Sequence, residues 1–326
     1  MTSAPPDRLV GALSENGGLL VRAAVTTALC EEGRRAHQTS PTATAALGRA
    51  LTGALLLGSL LKGRQTVLLQ WRGGGPLGTV LAEGRPDLTV RGYVAHPEAD
   101  VPSRGGKLDV GGAVGRRGEL VVVKDLGLRE PYVSCVALQS GELGDDLAYY
   151  LLASEQIPSA VGLGVHVGAD YRVAVAGGVL VEALPGAPPE QVERVAENMG
   201  ALDSVTRLLR DSSDPEALVA AALAGIPYRT TALGVPRFTC QCGPERLEAT
   251  LAALGSEQVR EVLEQEGGLR ARCAFCASEW RKGSLEGEWE RTAGRGCGQD
   301  GGAGASPPEA QDPANLWESD AFQRGK

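Results

Sequence analysis

Aromatic side chains make up only 4% of this 326-residue chain, and it holds just three histidines. With so few rings, small apolar residues must supply much of the packing. A hydrophobic share of 43% still suffices for at least one core, spread over two or three units. His37, His96 and His166 lie far apart in sequence, and no His-x-Glu pattern stands near a cysteine. A hydrolytic or deaminase metal site is therefore not expected, and each histidine reads as an ordinary core or surface residue. Positive charge is in deficit: the formal net charge of -8 argues against a nucleic-acid surface. The opening MTSAPPDRLV is polar and proline-rich and lacks the charged-then-apolar pattern of a leader. Long hydrophobic runs are missing too. The nearest, Thr42 to Leu61, contains Arg49 and is strongly apolar only in its second half. It reads as a buried helix capped by Thr42 after Pro41, not as a membrane span. The Gly73-Gly74-Gly75-Pro76 cluster lacks the lysine and hydroxyl of a phosphate loop, and no dinucleotide fingerprint follows a strand. Nothing calls for ATP or NAD.

What is present begins with a mixed α/β region from about residue 8 to 184. After the apolar helix come short β-rich runs at 66–70, 79–83, 89–95, 120–124, 132–138, 163–167 and 171–176. Glycine, proline and aspartate punctuate them as turns do. DDLAYYLLASE, Asp145 to Glu155, has the period of a short helix. LPGAPPE, Leu184 to Glu190, marks a boundary, since paired prolines stop one element and start the next. Beyond it Val192, Val195, Met199, Leu202, Val205, Leu208 and Leu209 recur at three- and four-residue steps. Gly200 weakens that run by roughly 1 kcal/mol relative to alanine. Asp214-Pro215 opens a second helix ending near Gly225. These connector helices bury a single stripe and so depend on their neighbours. Pro244 and Ser256 open two further helices. Past Gly283 the composition turns to glycine, alanine and acid, and disorder is expected over 283–326.

Seven cysteines, an odd number, suit a reducing compartment better than a disulfide scaffold. Four form the strongest motif in the chain: Cys240-x-Cys242, a gap of thirty residues, then Cys273-x-x-Cys276. Zinc in structural sites takes four tetrahedral ligands, and such pairs supply adjacent corners. Four sulfurs leave no open position for water. The segment 237–282 is only 46 residues long, a size at which an apolar core seldom suffices without a metal. Metal binding there is folding energy. Four thiolates on one Zn²⁺ keep a net charge near -2, so the sulfurs remain nucleophilic. An oxidant that turns them into disulfides removes the ligands and should unfold the module. The spacing leaves two readings open. One is a structural zinc ribbon serving as an interaction or nucleic-acid-binding module. The other is a redox-labile zinc site. Seven basic and seven acidic residues over 237–282, without aromatic-basic interleaving, weaken the nucleic-acid version. A thioredoxin-like enzyme fits poorly, because Cys273-x-x-Cys276 follows no βαβ pattern. Cys30 and Cys135 stand in apolar contexts and are expected to be buried, inert thiols. Cys297, in GRGCGQD, is expected to be exposed.

Beyond these local readings, the chain resembles the redox-regulated holdase chaperones of the Hsp33 family. The four-cysteine pattern carries the resemblance together with HQTSPTATAALGR (His37 to Arg49), GGGPLGTVLAE (Gly73 to Glu83), VRGYVAHP (Val90 to Pro97) and SGELGDDLAYYLLASEQIP (Ser140 to Pro158). It implies an α/β mixed chaperone and dimerisation domain over 1–184, a helical redox-labile linker over 185–236, and a C-terminal zinc-binding redox switch over 237–282. It implies no enzyme and no catalytic residue. One Zn²⁺ per chain would sit on Cys240, Cys242, Cys273 and Cys276 in the reduced, inactive form. Oxidation would pair Cys240 with Cys242 and Cys273 with Cys276, release zinc, unfold the linker and produce a homodimer. That form would hold unfolding client proteins in the cytoplasm until refolding chaperones take them, with no nucleic acid or membrane involved. The stretch after Lys282 departs from the family's usual end.

Overall fold

The structure, a computed structural model, describes residues 6–284, 286–293 and the strand at 317–318. It divides into two compact units, Met1–Phe238 and Thr239–Lys326. The first contains β1 (Arg8–Ser14), β2 (Leu19–Val25), α1 (Thr27–His37), α2 (Pro41–Gly58), β3 (Thr66–Arg72), β4 (Thr79–Gly84), β5 (Thr89–Val94) and α3 (Val110–Val114). It continues with β6 (Glu119–Asp125), β7 (Tyr132–Ala137), α4 (Leu143–Ala153), β8 (Ser159–Val167), β9 (Val173–Ala183), α5 (Pro189–Ala201), α6 (Val205–Ser212), α7 (Pro215–Ala222), β10 (Tyr228–Gly234) and β11 (Arg237–Phe238).

Two sheets organise this unit. One has the order β10-β1-β2-β9-β8 and is antiparallel throughout. The other has the order β11-β5-β4-β3-β6-β7, with only β11 running parallel to its neighbour. The apolar run expected as a buried helix is α2, which packs on strands of both sheets. Among the described residues no helix is long and apolar enough to cross a membrane. Its cap differs from expectation: Ser40 accepts from the Ala43 N–H and Pro41 occupies the first turn. Proline lacks the N–H that a first-turn position would leave unsatisfied, so the capping residue precedes it. Gly84 lets α2 approach β4, because a Cβ there would lie 1.9 Å from the Ala54 carbonyl oxygen.

A buried ion pair fixes the β4–β5 hairpin. Arg91 donates to Glu83 at 2.7 Å and Arg85 donates to the other carboxylate oxygen at 2.9 Å. Burial works against ionising Glu83, but Arg91 and then Arg85 outweigh it and hold the carboxyl below the usual range. That contribution is present above the ordinary carboxylate range and is lost as pH falls through the lowered folded value. Glu83→Ala removes the carboxylate that pairs with buried Arg91 and is expected to destabilise this unit by about 3–5 kcal/mol in urea denaturation at neutral pH. The wild-type advantage over the variant should shrink as the pH is taken down through the acid range.

The connector helices cover the outer face of the first sheet. Val10, Ala12, Val21, Ala23, Val25, Val179 and Val181 lie beneath Val195, Val205, Leu209, Leu218, Val219, Ala222 and Leu223. Residues 185–236 therefore belong to the first compact unit and do not form a separate body, since their one apolar stripe is spent on that sheet. The helical run read as continuous from Val192 to Leu209 breaks between Ala201 and Val205. There Ser204 turns extended and its side chain accepts from the Arg207 N–H.

The second unit contains α8 (Pro244–Leu254), α9 (Ser256–Glu266), β12 (Leu269–Cys273), β13 (Glu279–Lys282), β14 (Glu290–Ala293) and β15 (Trp317–Glu318). Its sheet has the order β14-β13-β12-β15. Leu247, Val259, Leu269, Trp280 and Trp289 form the buried cluster. Order thus runs past Lys282, where disorder was expected. Trp289 reaches the core and β14 pairs with β13. Cys297 lies outside the described residues.

Candidate metal centre

Two separated stretches bring the four sulfurs together. Cys240 and Cys242 lie in the loop after Phe238, which ends where Pro244 starts α8. Cys273 closes β12, and Cys276 sits in the turn that leads to β13. Backbone bonds shape that turn. Ala277 N–H donates to the Cys273 carbonyl at 2.8 Å, and Cys273 N–H donates to the Ser278 carbonyl at 2.9 Å. Ala277 takes a left-handed φ of 54°, which folds the chain back within one residue of Cys276. A β-hairpin tip curled by such a turn presents both sulfurs to one side.

All four Sγ atoms lie within 4.8 Å of one another. Cys240 and Cys273 sulfurs are 3.6 Å apart, and those of Cys242 and Cys276 are 3.4 Å apart. All are in the thiol form, and the most exposed, Cys242, shows only 9% of its surface. A tetrahedron of sulfurs about 2.3 Å from zinc has edges of about 3.8 Å, so the observed spacings suit that ion. They are well above the roughly 2.05 Å of a disulfide. The hydrogen bond with Cys240, joined by contact with Cys276 and by burial, pushes the Cys273 thiol far up. Four crowded thiols resist ionising together; a divalent cation reverses that preference, as the donor chemistry of the site requires. The four sulfurs fit a structural zinc ion, whose tetrahedral coordination they would fill. Every residue that the spacing singled out as a ligand is here.

Sequence reasoning did not find the groups around the sulfurs. Ser278 is fully buried with its Oγ 3.3 Å from the Cys276 sulfur. Lys282 is buried at the other end of the hairpin and pairs with Glu248 of α8. A lone serine or lysine carries no periodic signal, so only the closed hairpin reveals them.

The remaining described cysteines stand apart from the centre. Cys30 is buried as expected, and burial pushes its thiol up to about 12. Cys135 is exposed, contrary to expectation. It lies on the outward face of β7, an edge strand, with Val133 and Ala137, which are exposed on the same face; the apolar neighbours do not bury it. Its Sγ lies 2.8 Å from Glu119, whose hydrogen bond raises the thiol, so exposure does not make it reactive. Of the histidines, His37 is buried and His96 and His166 are exposed.

Comparison with known proteins agrees with this arrangement. The family model described as Hsp33 protein matches residues 7–282. A 33 kDa chaperonin of Geobacter sulfurreducens is 42% identical over 274 residues, covering 84% of this chain and 91% of the relative. One from Bacillus subtilis is 39% identical over 289 residues, covering 88% and 99%. The crystal structure of a 33 kDa chaperonin (heat shock protein 33 homolog) from Thermotoga maritima superposes with a TM-score of 0.78 at 33% identity. That similarity covers 85% of this chain and 94% of the other.

Proposed function

Because the chain belongs to the Hsp33 family of redox-regulated chaperones, which are not enzymes, we propose that it holds unfolding proteins without ATP and that four sulfurs switch it on. The observation that carries this reading is the convergence of Cys240, Cys242, Cys273 and Cys276 in a unit whose apolar cluster, among the described residues, is small. Zinc, when bound, supplies the folding energy that so small a core lacks. In the reduced protein the four thiolates hold one ion per chain. Under oxidation Cys240 joins Cys242 and Cys273 joins Cys276. Each pair of thiolates gives up two electrons, which with two protons from solvent reduce one peroxide to two waters, and the disulfide withdraws two donors from the metal.

Loss of the donors melts the module, and the connector follows. Support for the second step lies in how lightly the first two connector helices are anchored. α5 buries only Val195, and α6 only Val205 and Leu209, whereas α7 buries Pro215, Leu218, Val219 and Ala222. Undocking bares the valine-rich outer face of the first sheet, a contiguous apolar surface of the kind that binds partners. On this reading the first unit provides the client surface and a dimer contact in the oxidised state. Clients wait there until reduction hands them to refolding chaperones. The cytoplasm, where the thiols stay reduced until stress, is the compartment this requires.

The test is a titration of the reduced, zinc-loaded protein with hypochlorous acid, or with peroxide under mild heat. Zinc release, thiol loss and suppression of aggregation of a denatured client are followed on one sample. One zinc per chain should leave as the four thiols disappear, with suppression appearing in parallel. Equal suppression by the reduced form would rule out the switch. Salt-dependent nucleic-acid binding without zinc release would return the structural-ribbon reading.

A further inference from the structure

The ordered part of the chain that follows the family match ends up on the hairpin that carries Cys273 and Cys276. The family model stops at residue 282, yet β14 and β15 both lie beyond it. β14 pairs with β13 in the register Glu279↔Ala293, Trp280↔Arg291 and Arg281↔Glu290. β15 pairs with β12 through Arg272↔Glu318 and Cys273↔Trp317. A bare two-stranded hairpin would have two open edges; here each edge is taken by a strand of the extension.

The placement along the hairpin matters more than the strand count. β12 and β13 pair from Leu269↔Lys282 at the open end to Arg272↔Glu279 at the sulfur end. Ala293 stands level with Glu279, and β15 stands level with Arg272 and Cys273. Both additions therefore brace the end whose opening would let Cys273 and Cys276 turn. Two side-chain contacts fasten β14 there. Trp289 is buried in the module's core beside Trp280, with 8% of its surface exposed. The Arg291 guanidinium lies 4.7 Å from the centre of the Trp280 ring, within cation–π range.

We infer that the extension, through Trp289 and β14 with β15 on the opposite edge, is an intramolecular clamp on the sulfur-bearing hairpin that raises the oxidant exposure needed to open the metal site. The inference rests on the redox-switch reading above and adds a control to it. A sulfur inside an unbroken sheet reacts only when the sheet frays, so each contact that opposes fraying lowers the fraction of time the thiolates are accessible. The clamp acts before any sulfur is oxidised and needs no further reactant.

The experiment compares the full chain with a chain ending at Lys282 and with Arg291→Ala and Trp289→Phe. Two quantities are read: amide exchange at Ala271, Arg272, Cys273 and Trp280 in the reduced, zinc-loaded state, and the rate of zinc release at a fixed hypochlorite dose. Truncation is expected to speed both by at least about tenfold, the scale of a lost buried aromatic. Arg291→Ala should speed both about two- to fivefold, the scale of a surface cation–π contact. If the truncated chain fails to bind zinc, the two point variants decide. Exchange and release within twofold of the full chain in every variant that binds zinc would overturn the clamp. Faster release without client holding by any oxidised form would keep the clamp and remove the chaperone switch instead.

Discussion

Cys273→Ser is expected to cost the reduced protein its zinc and the folded state of the whole second unit, while the first unit keeps its sheets. Serine's hydroxyl is a hard, protonated donor and does not replace a thiolate on zinc. Apparent binding energies in small zinc modules run to about 10–16 kcal/mol, as large as the whole stability of an ordinary domain. The described apolar cluster of Leu247, Val259, Leu269, Trp280 and Trp289, with Phe275 also buried, is small for two helices and four strands without that term. Zinc content by chelator titration should fall to zero, and the near-ultraviolet dichroism of Trp280 and Trp289 should flatten. The reduced variant should also hold clients as the oxidised wild type does. Protected amides across Leu269–Cys273 in a zinc-free sample would show that the module folds unaided, and the activation mechanism would then lack its driving force.

Leu209→Ala is expected to activate holding without any oxidant and with zinc still bound. Leu209 is fully buried, and its side chain fills the space above Gly177 of β9, where a Cβ would come within 2.3 Å. α6 has only eight residues, far too short to persist by itself. Truncating a buried leucine costs about 2–5 kcal/mol, a large share of what keeps so short a helix docked. The reduced variant should bind a hydrophobic dye and slow client aggregation, whereas Arg210→Ala, on the exposed side of the same helix, should do neither. If Leu209→Ala unfolds more readily in urea yet holds nothing while reduced, the face under the connector is not the client surface.

Local pattern and spacing were enough for a good part of this molecule. The long apolar helix, the strands β3 to β7, the α4 segment and the two helices between the cysteine pairs stand where periodicity and turn residues put them, while the expected runs 163–167 and 171–176 caught only part of β8 and the start of β9. β1, β2 and α1, over Arg8–His37, were not legible. β1 meets apolar partners on both sides, Leu9 in one core cluster and Val10 in the other, so it shows no alternation to read. The connector's division into separate helices also escaped the pattern, because Ser204 breaks a stripe whose spacing continues across the gap. Trp289 had been assigned to a structureless tail; an isolated tryptophan shows its role only when a partner such as Trp280 is brought beside it.

For the metal centre, the sequence alone determined the donor atoms, because thiol chemistry and ligand spacing are local properties of a few residues. Tertiary structure decided which strands share a sheet, that β10 returns to β1 across the connector, and that residues beyond 282 brace the cysteine hairpin. It also decided that Cys30 is shielded while Cys135 faces outward. Those outcomes depend on pairings between segments distant along the chain. Such pairings follow from how whole surfaces fit, and no short window of residues contains that information.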